Sequence, residues 1–230
     1  MKKWHLWAVL GSSMVVCGMA WGQASSAMVL SVQGEVLLEV ASKTQPVEPL
    51  IRLLEGDRLR LAPGAQVRLL YARSGLQEDW QETGVLRIEE SESSIVRGKP
   101  QRQTRQLPLL ITQQMARTPR TDSTARIGGV RLRNLPELTA TTPKPPAPEK
   151  IAELEGNYHS LRHSSPPDDR SPEVYFLAGL WDLKAHERLR TELERLKGLH
   201  PQDPVIVRLQ TLYAGVLPAT GTPAPGDAAK

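Results

Sequence analysis

Leu54-Glu55-Gly56-Asp57-Arg58-Leu59-Arg60-Leu61-Ala62-Pro63-Gly64-Ala65-Gln66-Val67-Arg68-Leu69-Leu70-Tyr71 reads as two β-strands joined by a turn. Polar and apolar side chains alternate from Asp57 to Leu61 and again from Gln66 to Tyr71. Val67, Leu69 and Tyr71 therefore share one face, the period of a half-buried strand. Pro63-Gly64 supplies the turn. The pattern extends in both directions. Met28 to Gln33 and Glu35 to Val40 flank Gly34, which marks a bend or bulge, and Val85 to Ile88 follows Gly84. No useful helical period interrupts this half, so a small all-β sandwich or roll is expected. Gly34 and Gly56 offer backbone freedom that a Cβ resists, and Asp57 is placed to hydrogen-bond its turn. These are folding roles.

Three short motifs carry a resemblance: Val32-Gln33-Gly34-Glu35-Val36, Leu54-Glu55-Gly56-Asp57-Arg58-Leu59 and Ala65-Gln66-Val67-Arg68-Leu69. In this order and spacing they resemble the FecR-type periplasmic β domain, with its VxGxV strand, its Gly-Asp turn before a strand, and a strand leading to an Asp-Gly-Ser turn. The last element departs from that pattern and reads Ala72-Arg73-Ser74-Gly75. Covering about 28–95, the resemblance implies an envelope domain that senses or relays signals through protein contacts. In the regulators that name the family, a cytoplasmic segment acting on a sigma factor precedes the membrane helix. Only Met1-Lys2-Lys3 precede the apolar run here, so a direct sigma-factor role is not expected.

That apolar run, Trp4 to Trp21, follows two lysines and ends near small residues at Gly22-Gln23-Ala24. Residues 1–24 read as a secretory signal peptide. The predicted address is the periplasm or another exported compartment, a Gram-negative envelope by the family resemblance. The alternatives are an inner-membrane anchor formed by residues 4–21, close to the length a spanning helix needs, and a lipoprotein acylated at Cys17. Cleavage removes the only cysteine, which excludes disulfides, thiolate metal sites and cysteine nucleophiles together. Loss of Lys2 and Lys3 lowers the formal charge from +4 to +2.

Charge is unevenly distributed. Arg97 to Arg133 holds nine Lys or Arg against Asp122 alone. An acidic stretch precedes it: Glu78, Asp79, Glu82, Glu89, Glu90 and Glu92. The basic segment, within a 96–136 extension, is read as a solvated stripe, as a surface facing the acidic stretch, or as a contact for an anionic envelope polymer through Arg102, Arg105, Arg117 and Arg120. Nucleic acid is not expected, because the segment has no aromatic residue for base stacking. Leu107 to Met115 is a short apolar piece, and Gly128 to Leu132 reads as one more strand.

Residues 137–171 form a proline-rich linker with one short helix, Glu149 to Ser160. From 172 to 215 the period changes to about three and a half. Ser171-Pro172 and Asp203-Pro204 read as helix starts, while Gly198 and Pro201 end the middle helix. The stripes are Val174, Leu177, Ala178 and Trp181; Leu189, Leu193 and Leu196; and Val205, Leu209, Leu212 and Tyr213. Tyr175, Ala178, Gly179, the three leucines and Pro201 resemble about one and a half tetratricopeptide repeats. Such a unit leaves a face to be covered, so Tyr175, Trp181 and Tyr213 are candidates for a helical interaction face. The competing reading is a helical hairpin closing the protein's own core. Residues 216–230 have the composition of a disordered tail.

Catalytic signatures are missing from the sequence: it has no Gly-x-Ser-x-Gly elbow and no phosphate loop. Glu155, His159 and His163, four apart, are weak candidates for a zinc site. Trp80 is either a ligand platform or a tryptophan at the rim of the core. The predicted class is β + α: a sandwich or roll, a proline-rich linker and three helices. The predicted role is a non-catalytic interaction, scaffold or signal-relay protein without cofactor, with a protein partner in the envelope. The alternatives are an anionic-polymer binder and, last, a metal-dependent enzyme.

Overall fold

A computed structural model of the 230-residue chain describes residues 26–40, 43–119 and 147–217. Ten strands come first: β1 (Ala27–Gln33), β2 (Val36–Val40), β3 (Lys43–Pro46), β4 (Arg52–Leu53), β5 (Arg58–Leu61), β6 (Gln66–Tyr71), β7 (Leu76–Gln81), β8 (Gly84–Ile88), β9 (Ser93–Gly98) and β10 (Gln101–Gln106). Five helices follow: α1 (Leu109–Met115), α2 (Pro148–Ser164), α3 (Ser171–Asp182), α4 (His186–Leu199) and α5 (Pro204–Ala214). The strands form two sheets, β10-β7-β6-β1-β4 and β3-β2-β5-β8-β9. All neighbouring strands are antiparallel. The class is thus mixed β + α.

Gly34 lets the chain leave the first sheet and enter the second. Its φ is +72°, and a Cβ there would lie 3.1 Å from the Cα of Ala65, so conformation and space both demand glycine. At the Gly56 turn, with φ of +91°, the amide of Leu54 donates to the Asp57 carboxylate at 2.8 Å. The Asp57 amide in turn donates to the carbonyl of Leu54 at 3.2 Å. Both expected turn roles are present.

Inward side chains of the two sheets share one core. Val29, Val67, Leu69, Tyr71 and Trp80 of the first meet Val36, Leu38, Leu59, Leu61, Leu86 and Ile88 of the second. Trp80 is 1% exposed, so it is a core residue and not a ligand platform. The strands continue beyond the 28–95 span of the resemblance, through β9 and β10 to Gln106. These two strands edge their sheets and bury little, so no apolar period announces them.

A second core joins the helices to the outer face of the first sheet. Met28, Leu30 and Leu70 pack in one cluster with Leu107 and Met115 and with Val174, Leu177, Leu209 and Tyr213 of the helices. The result is three layers: sheet, sheet, helices. The short apolar piece of the sequence is α1. The single helix expected at Glu149 to Ser160 runs from Pro148 to Ser164 and buries Leu154 and Leu161, so it belongs to the helical layer. α3 is buried from Ser171 to Leu180 on all sides, rather than along one stripe, because it is the central helix of that layer.

α2 and α3 approach closely at Gly179. A Cβ at this glycine would meet the Leu154 side chain, 2.7 Å from Cδ2 and 3.0 Å from Cγ. Gly179→Ala is expected to lose about 1–2 kcal/mol of unfolding free energy, because overpacking outweighs the gain in helix propensity. Urea denaturation checks this; a variant as stable as the parent would mean that Leu154 moves aside freely.

Among the described residues no helix is long and apolar enough to cross a membrane. The predicted leader or anchor with Cys17, the strand at Gly128 to Leu132 and the tail from Pro218 lie outside the described residues.

Candidate functional site

Where the helices leave the first sheet uncovered, a cleft of about 430 Å³ opens between the two layers. Cross-strand register builds its floor. Gln33 of β1 faces Gln66 of β6, which faces Gln81 of β7, which faces Gln101 of β10. Residues directly opposite one another project on the same side of a sheet. Four amides therefore stand in a row across four strands, about 4.8 Å apart from strand to strand. Gln101 donates to Glu82 at 3.1 Å. Gln33, Gln66 and Gln81 line the cleft. The next row holds Arg68, Asp79 and Gln103. Asp168, Arg170, Asp203, Pro204 and Val205 supply the opposite wall.

The wall is held by charged hydrogen bonds. Asp203 starts α5, accepting from the amides of Val205 at 2.9 Å and Ile206 at 3.3 Å. Its other oxygen takes the Arg170 Nε–H at 2.7 Å, and Arg170 also donates to the carbonyl of Pro167. The cap read at Ser171 is instead supplied by Asp169, which accepts from the Ser171 amide at 2.9 Å and its hydroxyl at 2.5 Å. Arg68 reaches Asp169 from β6 at 3.2 Å, and Arg105 reaches it from β10 at 2.9 Å. Arg68 also pairs with Asp79. Burial opposes the charge of Arg68, yet Asp169 and Asp79 outweigh it and hold the guanidinium above its ordinary pKa. The floor and the wall are thus latched through one buried carboxylate, while the row of amides faces the opening.

A second buried carboxylate, Glu78, plugs the seam between the sheets. It accepts from the indole of Trp80 at 2.8 Å, the amide of Ser93 at 3.1 Å and Arg102 at 2.7 Å. Arg102 also pairs with Glu92 at 2.8 Å and lies over the Trp80 ring.

These contacts correct the reading of the basic segment. Arg102 is spent on Glu78 and Glu92, Arg105 on Asp169 and Gln77, and Arg117 on Asp182 at 2.6 Å. Arg120 lies outside the described residues. Of these arginines Arg102 meets the acidic stretch, through Glu78 and Glu92, because antiparallel pairing sets β10 beside β7. Arg105 and Arg117 meet carboxylates of the helical layer. The helical interaction face is corrected likewise. Tyr175 and Tyr213 are buried and Trp181 packs on the same core, so these side chains close the protein's own interior. Glu155, His159 and His163 do not converge. Glu155 pairs with Arg188, His159 tilts against Tyr158, and no metal-holding group of three occurs among the described residues.

The glutamine row was missed because it exists only in the register of four strands. The spacing of Gln33, Gln66, Gln81 and Gln101 along the chain has no regularity to detect. No protein-family model matches the chain, and no curated protein or solved structure matches it either.

Proposed function

We propose that the chain is a non-catalytic exported envelope protein that holds or relays to a protein partner through the glutamine-floored cleft. The observation that carries this reading is the register row Gln33, Gln66 and Gln81, set opposite a wall held in place by its own ion pairs. Each amide offers donors and an acceptor together. Such a row suits the alternating N–H and C=O groups of an extended peptide. A prepositioned wall reduces the ordering cost of binding.

The FecR-like reading of the β part is supported by its glycine and Gly-Asp turns. The tetratricopeptide-like reading of the helices is supported by the tight α2–α3 contact at Gly179 and by the Asp203-Pro204 start of α5. In this proposal the helical layer does not offer its own stripe to the partner. It forms one wall of the site.

A photo-cross-linking side chain at Gln66 or Gln81, in cells that produce the full chain, tests the idea. One discrete cross-linked protein is expected from both positions and none from Glu187, an exposed residue in the first turn of α4, at the end away from His200 and Arg170. Equal products from all three positions, or none from the cleft, would reject it.

A further inference from the structure

The second sheet carries an arginine surface that the segment 97–133 does not account for. Its inward residues, Leu59, Leu61, Leu86 and Ile88, are fully buried, so Arg58 and Arg60 of β5, Arg87 of β8 and Arg97 of β9 project outward. Arg58 stands directly opposite Arg87. Arg97 follows in the next row, opposite Val85, which is itself opposite Arg60.

Like charges placed directly across two strands repel. Arg60 is paired with Glu39. Glu89, at the end of β8, is bonded to the Ser94 hydroxyl at 2.6 Å, and Glu35 precedes β2 on the far side from β9. Arg58, Arg87 and Arg97 have no side-chain partner among the described residues, and all three are exposed. Beside Arg97, Val96 occupies the bulge of the edge strand and is 48% exposed, whereas Ile95 stands opposite the inward Leu86 and so lies on the other side of the sheet.

We propose that this face is a docking surface for a phospholipid bilayer with anionic head groups. Two features select that partner. Guanidinium groups engage phosphate oxygens in bidentate fashion, and a sheet face presents them as a plane, which can meet a plane of phosphates all at once. An acidic peptide strand would match only one row. The exposed Val96, in the bulge next to Arg97, adds an apolar component that enters the headgroup boundary, as in interfacial binding generally. The surface lies on the sheet away from the cleft, so it stands independently of the peptide-binding reading.

The test compares vesicles of phosphatidylcholine with and without phosphatidylglycerol, using the chain as it accumulates in the producing cell. The ratio of the two partition coefficients isolates the headgroup charge from any apolar insertion by the N-terminal run. That ratio is expected to fall roughly 5-fold for each arginine removed, and about 100-fold for Arg58→Gln, Arg87→Gln and Arg97→Gln together. It should also fall as salt rises. Val96→Ser should weaken binding to the anionic vesicles while leaving the salt dependence in place. A ratio near one for the parent, or one unmoved by the triple substitution, overturns the proposal. Equal retention on inorganic polyphosphate beads, unaffected by the Val96 change, would also overturn it, by assigning the face to a soluble polyanion. Circular dichroism of each variant separates lost binding from lost folding.

Discussion

Alanine at position 169 is expected to lower the free energy of unfolding by about 3 kcal/mol, within the range for removing one partner of a buried charge pair. Asp169 is 1% exposed, accepts three hydrogen bonds, from Arg105, the Ser171 amide and the Ser171 hydroxyl, and forms an ion pair with Arg68. Its removal strands a buried amide at the start of α3 and leaves two guanidiniums with weaker company. Arg68 keeps Asp79, and Arg105 keeps Gln77 and can turn to solvent. The loss therefore stays below the largest seen for buried charges. For a chain of this size the melting temperature should drop by about 6 to 12 °C. Asp169→Asn keeps an acceptor for Ser171 and loses the charge, so roughly half the effect is expected. Because the carboxylate is buried, the loss should persist in high salt, unlike that of a surface pair. Urea denaturation at low and high salt measures both. A loss below about 1 kcal/mol, or one that vanishes in salt, would mean that the apolar contact of Met28, Leu30 and Leu70 alone holds the helices on the sheet.

How much of this could be read from the sequence depends on what each residue faces. β2, β5 and β8 were legible because one face is buried and the other is wet, so polarity alternates as the pleat does. β1 and β6 read as strands although the helices also cover Met28, Leu30 and Leu70 on their outer face. β7 hides the same alternation, since one of its three inward positions is the carboxylate of Glu78 between Leu76 and Trp80. β3 and β4 hold four residues and two, too few for a period. The stripes of α4 and α5 survive in the fold because one side of each stays wet. α3 does not keep a stripe, because a central helix is covered by α1, α2 and α4 together, and Tyr175 and Trp181 pack into the core with it; Tyr213 is buried from the stripe of α5.

The site was less legible than the fold, for a related reason. Charge along the chain marked 97–133 as a basic surface, yet what decides exposure is which strand lies next door. Antiparallel pairing of β10 with β7 brings Arg102 and Arg105 to acceptors more than twenty residues upstream. The outward arginines Arg58, Arg60, Arg87 and Arg97 are scattered over forty residues of sequence, and only the sheet gathers them.

The second large effect is expected at Glu78, and the reason is the same rule of pairing applied inside the sandwich. This carboxylate is 0% exposed and faces the core, where an unpaired charge would be untenable. It is tolerated because three donors converge on it from two sheets: Trp80 of β7 and Arg102 of β10 on one side, Ser93 of β9 on the other. The neighbouring Tyr71 hydroxyl meets the Ser93 hydroxyl at 2.7 Å, and burial pushes that phenol above its ordinary range although the hydrogen bond to Ser93 opposes the shift. Glu78→Ala leaves the Trp80 indole and the Ser93 amide without an acceptor, each at a cost of about 1–3 kcal/mol, while Arg102 can fall back on Glu92 or water. The expected total is about 3 kcal/mol. Glu78→Gln retains one acceptor oxygen and should lose about half as much. Hydrogen exchange at the Trp80 indole distinguishes a local seam from general weakening. In Glu78→Ala that proton should exchange far faster than the global stability loss alone allows, because the β9–β10 end of the sandwich opens first. If it instead keeps pace with the amides of β6, the plug has no local role, and the two sheets are held at that end by Trp80 packing alone.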